Sequence, residues 1–475
     1  MAVESVPGFS LQPSAQQVAL STNYLTNFDF LNQYLPDLKE EEFERYGNRS
    51  IASFLRMVSA EMPTNSDLIK WSEQGRLHVK YTGVTAATYA GTETTNTLTV
   101  PSGQANGKLA IRVGQTVMIS DETALSNKSN KAIVTDVDLA ANTFDVAYYE
   151  ATQAAYVADS TLTVFIYGSE FAKGTNGMQG SLEAQPDIYD NKPIIIKDHY
   201  KISGSDMAQI GWIEVETDQG PGYLWYLKSQ SETRMRFEDY LETAMIEAVP
   251  AVDGSGASDY LQGTAAGAGV ADKSGSEGLF YVVNDRGNVF GGGNPTTLDE
   301  FDAIIQRLDK QGSIEENAIF LNRQFGFDID DMLAAQNSYG NGGTSYGLFD
   351  NDEQMALNLG FTGFRRGYDF YKTDWKYLND PTMRGGLVGG AVNGILVPAG
   401  STTVYDQVLG KNATRPFLHV RYRASETEDR KYKTWITGSA GGAATTDLDA
   451  MEVNFLSERA LCTLGANNFF LFTNA

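Results

Sequence analysis

One cysteine, Cys462, is all the chain has, so no internal disulfide can form and stability must come from packing or from association with other chains. Histidine is almost as scarce. His78, His199 and His419 stand far apart, with no two at the helical spacing a zinc site needs, so no metal centre is expected. Nowhere do apolar residues run long enough to cross a bilayer. The opening Met1-Ala2-Val3-Glu4-Ser5-Val6-Pro7 has no basic stretch followed by an apolar one, so neither a signal peptide nor a membrane partner is expected. Bases are also in deficit: 36 Lys and Arg face 60 Asp and Glu, a net charge of −24. That balance repels phosphates and argues against tight, sequence-specific nucleic-acid binding.

What is present is enough for a folded protein. Hydrophobic residues make up 42% and charged residues 20% of 475, far from the disordered regime, and the length holds about three domains at roughly 150 residues each. Residues 1–37 mix Ser, Asn, Gln and Tyr without periodicity around Pro7, Pro13 and Pro36, and read as an extended arm that orders against a partner. Ile51, Phe54, Leu55 and Val58 then predict short helices ending before Pro63. Two extended stretches follow over 66–81, and after residue 84 the composition turns rich in Thr, Ala and Gly. Alternating runs at 108–119, 131–137, 143–149 and 161–167 predict a small all-β barrel or sandwich inserted over 84–170. A Gly-rich segment, 173–180, leads to a further strand over 192–202, which could pair antiparallel with the earlier extended leg.

Pro221, placed where a helix's first turn has no use for its N–H, predicts a helix over 221–249 that ends at Pro250 and would be roughly 43 Å long. Its apolar stripe is Leu224, Leu227, Phe237, Leu241, Met245 and Ala248. A loose stretch, 251–296, precedes a second helix opened by a Thr297/Glu300 capping box, with a stripe of Leu298, Phe301, Ile304, Ile305 and Leu308 and closed by Gly312. Ala318, Ile319, Phe320 and Leu321 read as a buried strand and 329–335 as a short helix. The rest is mostly β, with candidate strands at 367–371, 394–397, 417–422, 432–437 and 468–472, so the fold class is α+β.

No constellation carries chemistry. Asp328, Asp330 and Asp331 lack the glycine and bidentate glutamate of a calcium loop and are expected to favour the N-terminus of the 329–335 helix. The Gly291-Gly292-Gly293 run lacks the lysine of a phosphate-binding loop, and the Gly-Ser-Gly at 254–256 fails the spacing of a nucleophile elbow. Carboxylate pairs of the glycosidase kind can be selected only by geometry, which keeps a β-rich polysaccharide-active enzyme as an alternative. No catalytic, cofactor-binding or metal residue is assigned. Arg234, Arg236 and Glu238 on the long helix, and Arg365 with Arg366, are candidates for contacts between subunits, against the plainer reading of a solvated face.

The order arm, β-excursion with an insertion, long helix, α/β layer and late strands resembles the major capsid proteins of tailed phages, the Hong Kong 97-type fold. The stretches that carry the resemblance are 71–81 with 192–205, 221–249 and 298–335. In that family's terms the chain divides into an N-arm with short helices (1–62), E-loop legs (63–83 and 171–200) around the inserted β-domain (84–170), a P-domain (201–262 and 412–460) whose spine helix is 221–249, and an A-domain (263–411 and 461–475). The run Asn191-Lys192-Pro193-Ile194-Ile195-Ile196 looks most like capsid proteins of crAss-like podoviruses. The resemblance implies a non-enzymatic subunit of the virion, assembled in the bacterial cytoplasm. It would build hexamers and pentamers of an icosahedral shell around double-stranded DNA, with a portal protein and possible scaffold, head-fibre or auxiliary capsid proteins as partners. Some relatives cross-link through a Lys and an Asn. Lys173 and Asn176 are of the right type and in the right region, although no motif matches and cross-linking is not expected. Others carry a removable N-terminal scaffolding segment, whereas here the arm follows Met1 almost at once, so a separate scaffold or none is expected. An encapsulin-like container for protein cargo is the nearest alternative.

Overall fold

The structure, a computed structural model, describes residues 54–474 apart from 77, 87–88, 106–108, 122–128, 156–160, 181–185, 208–214, 218–219, 223–224, 253, 265–274, 313, 337–362, 388–390, 400, 407–410 and 443. The expected arm, 1–37, and the start of the expected short helices, up to residue 53, lie outside the described residues. The chain divides into two units, Asp67–Lys192 and the flanking chain up to Ser66 and from Pro193.

The flanking unit opens with α1 (Phe54–Val58) and β1 (Ser59–Thr64). The apolar spacing predicts helix as far as Pro63. Instead the helix stops at Val58, and Pro63 lies in a strand at the edge of a sheet, a position where a missing N–H need break no ladder bond.

The 67–192 unit holds β2 (Ile69–Glu73), β3 (Lys80–Ala86), β4 (Thr95–Thr99), α2 (Ser102–Ala105), β5 (Gln115–Asp121), β6 (Ser129–Asp138), β7 (Thr143–Tyr148), β8 (Leu162–Ser169) and β9 (Asp187–Asn191). Six of these strands close into a barrel in the order β3-β4-β7-β6-β5-β8, which leaves no free edge. Alternation places Val117, Ile119, Ala132, Val134, Phe144, Val146, Leu162 and Val164 in its core. The polar turn at 138–142 works as turn chemistry demands. The Asp138 carboxylate accepts from Ala140 and Ala141 N–H at 2.9 and 3.1 Å, and Asn142 takes the left-handed conformation at φ 54°. Residues 109–113 form no strand: Leu109 and Ile111 are buried as a non-alternating plug. β4 is a strand the periodicity misses, because its Thr-Asn-Thr-Leu-Thr has one buried side chain, Leu98. β2 and β9 make a separate antiparallel ribbon with Trp71 opposite Tyr189.

The flanking unit resumes with β10 (Ile194–Ser203), α3 (Gly204–Met207), β11 (Val215–Thr217), β12 (Gly220–Gly222), α4 (Trp225–Glu247), α5 (Gly256–Thr264) and α6 (Leu279–Arg286). Pro221 therefore does not open the long helix; it lies in β12, paired with Glu216. The glycine that follows it is a poor first-turn residue, and the helix begins at Trp225. Next come β13 (Asn288–Phe290), α7 (Leu298–Gln311), β14 (Glu316–Leu321), α8 (Arg323–Gln336), β15 (Gly363–Arg366), β16 (Tyr368–Asp374) and α9 (Lys376–Asn379). The last strands are β17 (Val392–Pro398), β18 (Ser401–Asp406), β19 (Lys411–Pro416), β20 (Leu418–Arg423), β21 (Lys433–Gly438), β22 (Ala450–Thr463) and β23 (Phe470–Thr473). Among the described residues no helix is long and apolar enough to cross a membrane.

Two sheets organise this unit. One runs β1-β20-β22-β10, with β21 also paired to β22, and the other runs β13-β23-β17-β14-β16-β15. Helix α4 lies on the first: Phe237 and Leu241 meet Met451, Val453 and Phe455 of β22 and Ile202 of β10. In the second, α7 and α8 bury Phe301, Ile304, Leu308, Phe325 and Ile329 against Ile319, Leu321 and Leu396. The capping box at α7 is formed as expected, with Thr297 Oγ1 accepting from the Glu300 N–H and the Glu300 carboxylate accepting from the Thr297 N–H, both at 3.4 Å, and Gly312 closing the helix. Thr297→Ala should lower unfolding stability by about 1 kcal/mol, readable as a shift of the urea midpoint, and no shift would mean the cap adds nothing beyond solvent.

Candidate functional site

A cleft of about 600 Å³ lies where α1 and β1 meet α4. Helical spacing sets Glu238, Leu241 and Glu242 along the α4 wall, and β-strand alternation sends Glu61 and Arg459 to the same side of the sheet. Its carboxylates are occupied. Glu61 accepts from Lys431 at 2.5 Å and faces Arg459 at 3.5 Å, Glu238 accepts from Arg56 at 3.2 Å and lies 3.5 Å from Arg234, and Glu242 accepts from the Phe54 N–H at 3.0 Å. Arg459 is buried, and burial pushes its guanidinium pKa down while the Glu61 carboxylate opposes the shift. Its Nε donates to Ser457 Oγ at 2.9 Å and its Nη2 to the Lys431 carbonyl at 3.1 Å. The cleft fastens α1 and β1 to the long helix.

The candidate contact residues fall in separate places. Lys173 and Asn176 are exposed in the loop after β8 of the barrel unit. Arg234 and Glu238 pair along α4, and Arg236 points to solvent on the same helix. Arg365 pairs with Asp369 at 3.3 Å, and Arg366 grips Asp302 of α7, with Nη2 to Oδ2 at 2.6 Å. The Arg366 hydrogen bond holds the Asp302 carboxyl below its ordinary range. Sequence spacing found these charges and set Arg234 four residues from its partner Glu238, but not the pairing of Arg366 with Asp302, 64 residues away.

Other acids are also spent on packing. Asp328, Asp330 and Asp331 do not precede a helix: α8 begins at Arg323, where Asn322 Oδ1 accepts from the Phe325 N–H at 2.8 Å, so the three acids lie inside it. Asp330 instead receives Lys372 of β16 at 2.5 Å, and Asp328 receives Asn294 at 2.6 Å. Glu247, near the end of α4, takes Tyr377 Oη at 2.7 Å and Arg384 at 2.8 Å; burial, and then the bond to Glu247, pushes the Tyr377 hydroxyl pKa up. Among the described residues no group of three His, Cys, Asp or Glu could hold a metal ion, and Cys462 is buried on β22.

No family model matches the chain, and no curated protein matches it. Among solved structures it overlays a protein of Gordonia phage Cozz at 10% identity and TM-score 0.38, covering 98% of each chain. It overlays the capsid of a native GTA particle at 10% identity and TM-score 0.39, covering 95% of this chain and 99% of that one. The holo-SrpI encapsulin complex of Synechococcus elongatus PCC 7942 overlays at 9% identity and TM-score 0.38, covering 94% and 95%. Overlays this loose do not define a family.

Proposed function

We propose that the chain is a shell subunit of the Hong Kong 97 type, the major capsid protein of a tailed phage, with no enzymatic activity. The observation that carries this reading is the path of the chain around its first sheet. β1 ends at Thr64 on one edge, β10 begins at Ile194 on the other, and the 67–192 excursion with its ribbon and barrel lies between them in sequence. The 23-residue α4 comes next among the long elements and packs on that sheet, and further along lies a layer of α7, β14 and α8. That order supports reading these parts as E-loop, spine helix and A-domain. The subunit then forms hexamers and pentamers of an icosahedral shell that encloses double-stranded DNA and meets portal, scaffold and auxiliary proteins. The 191–196 run favours the crAss-like podoviral branch. A cargo-holding encapsulin is the second reading, favoured by the same order of elements.

The β2–β9 ribbon supports an assembling subunit. A two-stranded ribbon is marginal in water by itself, and here a half-buried aromatic pair, Trp71 and Tyr189, with ring centroids 6.3 Å apart, spans it. In the shell this pair anchors the ribbon on a neighbouring copy. Purified full-length protein should form megadalton icosahedral particles in negative-stain micrographs, alone or with a co-expressed scaffold. A monomer across all salt and scaffold conditions would refute the proposal. Trp71→Ala should cut particle yield by about tenfold or more, as loss of an aromatic interface anchor does, while leaving the subunit's melting temperature nearly unchanged.

A further inference from the structure

A chain with 60 acids and 36 bases meets copies of itself across a repulsive field, so a stable contact needs a locally cationic surface on at least one side. The first sheet has one. Its β10-β22-β21 register puts Lys197 beside Leu456 and Lys433, His199 beside Asn454 and Trp435, and Lys201 beside Glu452 and Thr437. These side chains project from the face opposite α4, because the alternating residues Ile202, Val453 and Phe455 are the ones packed on the helix.

The carboxylates of this face are already occupied. Glu452 lies 3.3 Å from Lys201, Glu428 2.7 Å from Lys433, and Glu458 2.8 Å from Arg430 and 3.8 Å from Arg423. Lys197 and His199 are exposed and make no ion pair among the described residues, and Trp435 keeps 36% of its surface in solvent with the Lys433 ammonium 5.8 Å from its ring. The face therefore joins an exposed lysine without a carboxylate partner, Lys197, and the exposed His199 to an exposed indole, and β10 is an edge strand of ten residues. Lysines on an edge also deter uncontrolled strand pairing. That duty does not require an exposed Trp two strands away.

We infer that the solvent face of β10-β22-β21, centred on Lys197, His199, Lys201 and Trp435, docks an acidic surface of a second copy of this chain. The inference rests on the shell reading and names one of its contact faces. A nucleic acid is less suited to it, because four of the five Lys and Arg side chains named on the face are tied to carboxylates that would meet phosphates directly.

The test uses full-length protein carrying Lys197→Glu with Lys201→Glu, beside Lys197→Arg with Lys201→Arg and a control reversal at Lys131 and Lys310. Circular dichroism and melting should show all of them folded. In low salt, sedimentation should show wild type, the arginine variant and the control self-associating, while the reversal at 197 and 201 weakens association at least about tenfold, since like charges are then juxtaposed. Trp435→Ala should weaken it as well. Reversal that assembles like wild type overturns the inference and leaves the shell reading standing. Reversed subunits that form normal particles but retain less DNA would assign the face to the genome instead. Wild type that never forms particles refutes the shell reading, while salt-sensitive dimerisation lost on reversal would still support the face.

Discussion

Phe237→Ala should destabilise the flanking unit by about 3–5 kcal/mol, the usual cost of emptying a large core site that cannot collapse. Phe237 is fully buried on α4, its ring stacked on Phe455 at 5.7 Å and edge-on to Tyr432 at 5.4 Å, and it sits among Ile202, Leu241, Met451 and Val453. The helix that carries it has a polar composition for its length, so packing at this site, and not helix propensity, keeps α4 on the sheet. Chemical denaturation should show two transitions, because the barrel's buried core cluster is made of residues 81–164 alone. The substitution should move the transition followed by Tyr432 and the α4 amides in hydrogen exchange, and leave barrel amides protected as in wild type. Equal loss of protection in both units would show that they do not unfold separately.

Asp330→Ala should cost about 3–5 kcal/mol, because it leaves the Lys372 ammonium without its carboxylate. The pair joins α8 to β16 at 2.5 Å with only 13% and 14% of the two side chains exposed. Desolvating both ions offsets much of their attraction, so removing the pair as a unit should be far less harmful than breaking it. Asp330→Leu with Lys372→Met is expected within about 1 kcal/mol of wild type. The comparison, read from denaturation midpoints of the three proteins, separates an uncompensated charge from a lost attraction. If the double variant is as unstable as Asp330→Ala, the ion pair itself is a net stabilising contact.

Several elements are legible from short-range spacing alone. Alternation in β6 and β7 and the stripe of α7 with its Thr297 cap are local facts, fixed by side chains two, three or four residues apart, and they stand in the structure where the sequence places them. β22 escaped because polar residues break its apolar run. Its Ser457, Glu458 and Arg459 interrupt the apolar pattern, yet all three are buried, held by the Lys431 carbonyl, by Arg430 and by Glu61. A polar triplet in the most central strand reads as a break until its distant partners are known. The start of α4 was misplaced for a local reason, the Gly222 beside Pro221.

By itself the sequence determined that this is an α+β chain without disulfides, with a small β insertion, a long helix in the middle and a strongly acidic surface. These follow from composition and short-range spacing, which act through nearest neighbours along the chain. The tertiary structure decided how charge is used. Pairing across 42 residues for Lys372 with Asp330, and across 182 for Arg56 with Glu238, turns candidate reactive acids into packing contacts. Strand register then gathers Lys197, His199, Lys201, Lys433 and Trp435 on one face. Coulomb energy depends on distance in space, and spacing along the chain carries no record of that distance until the strands are in register.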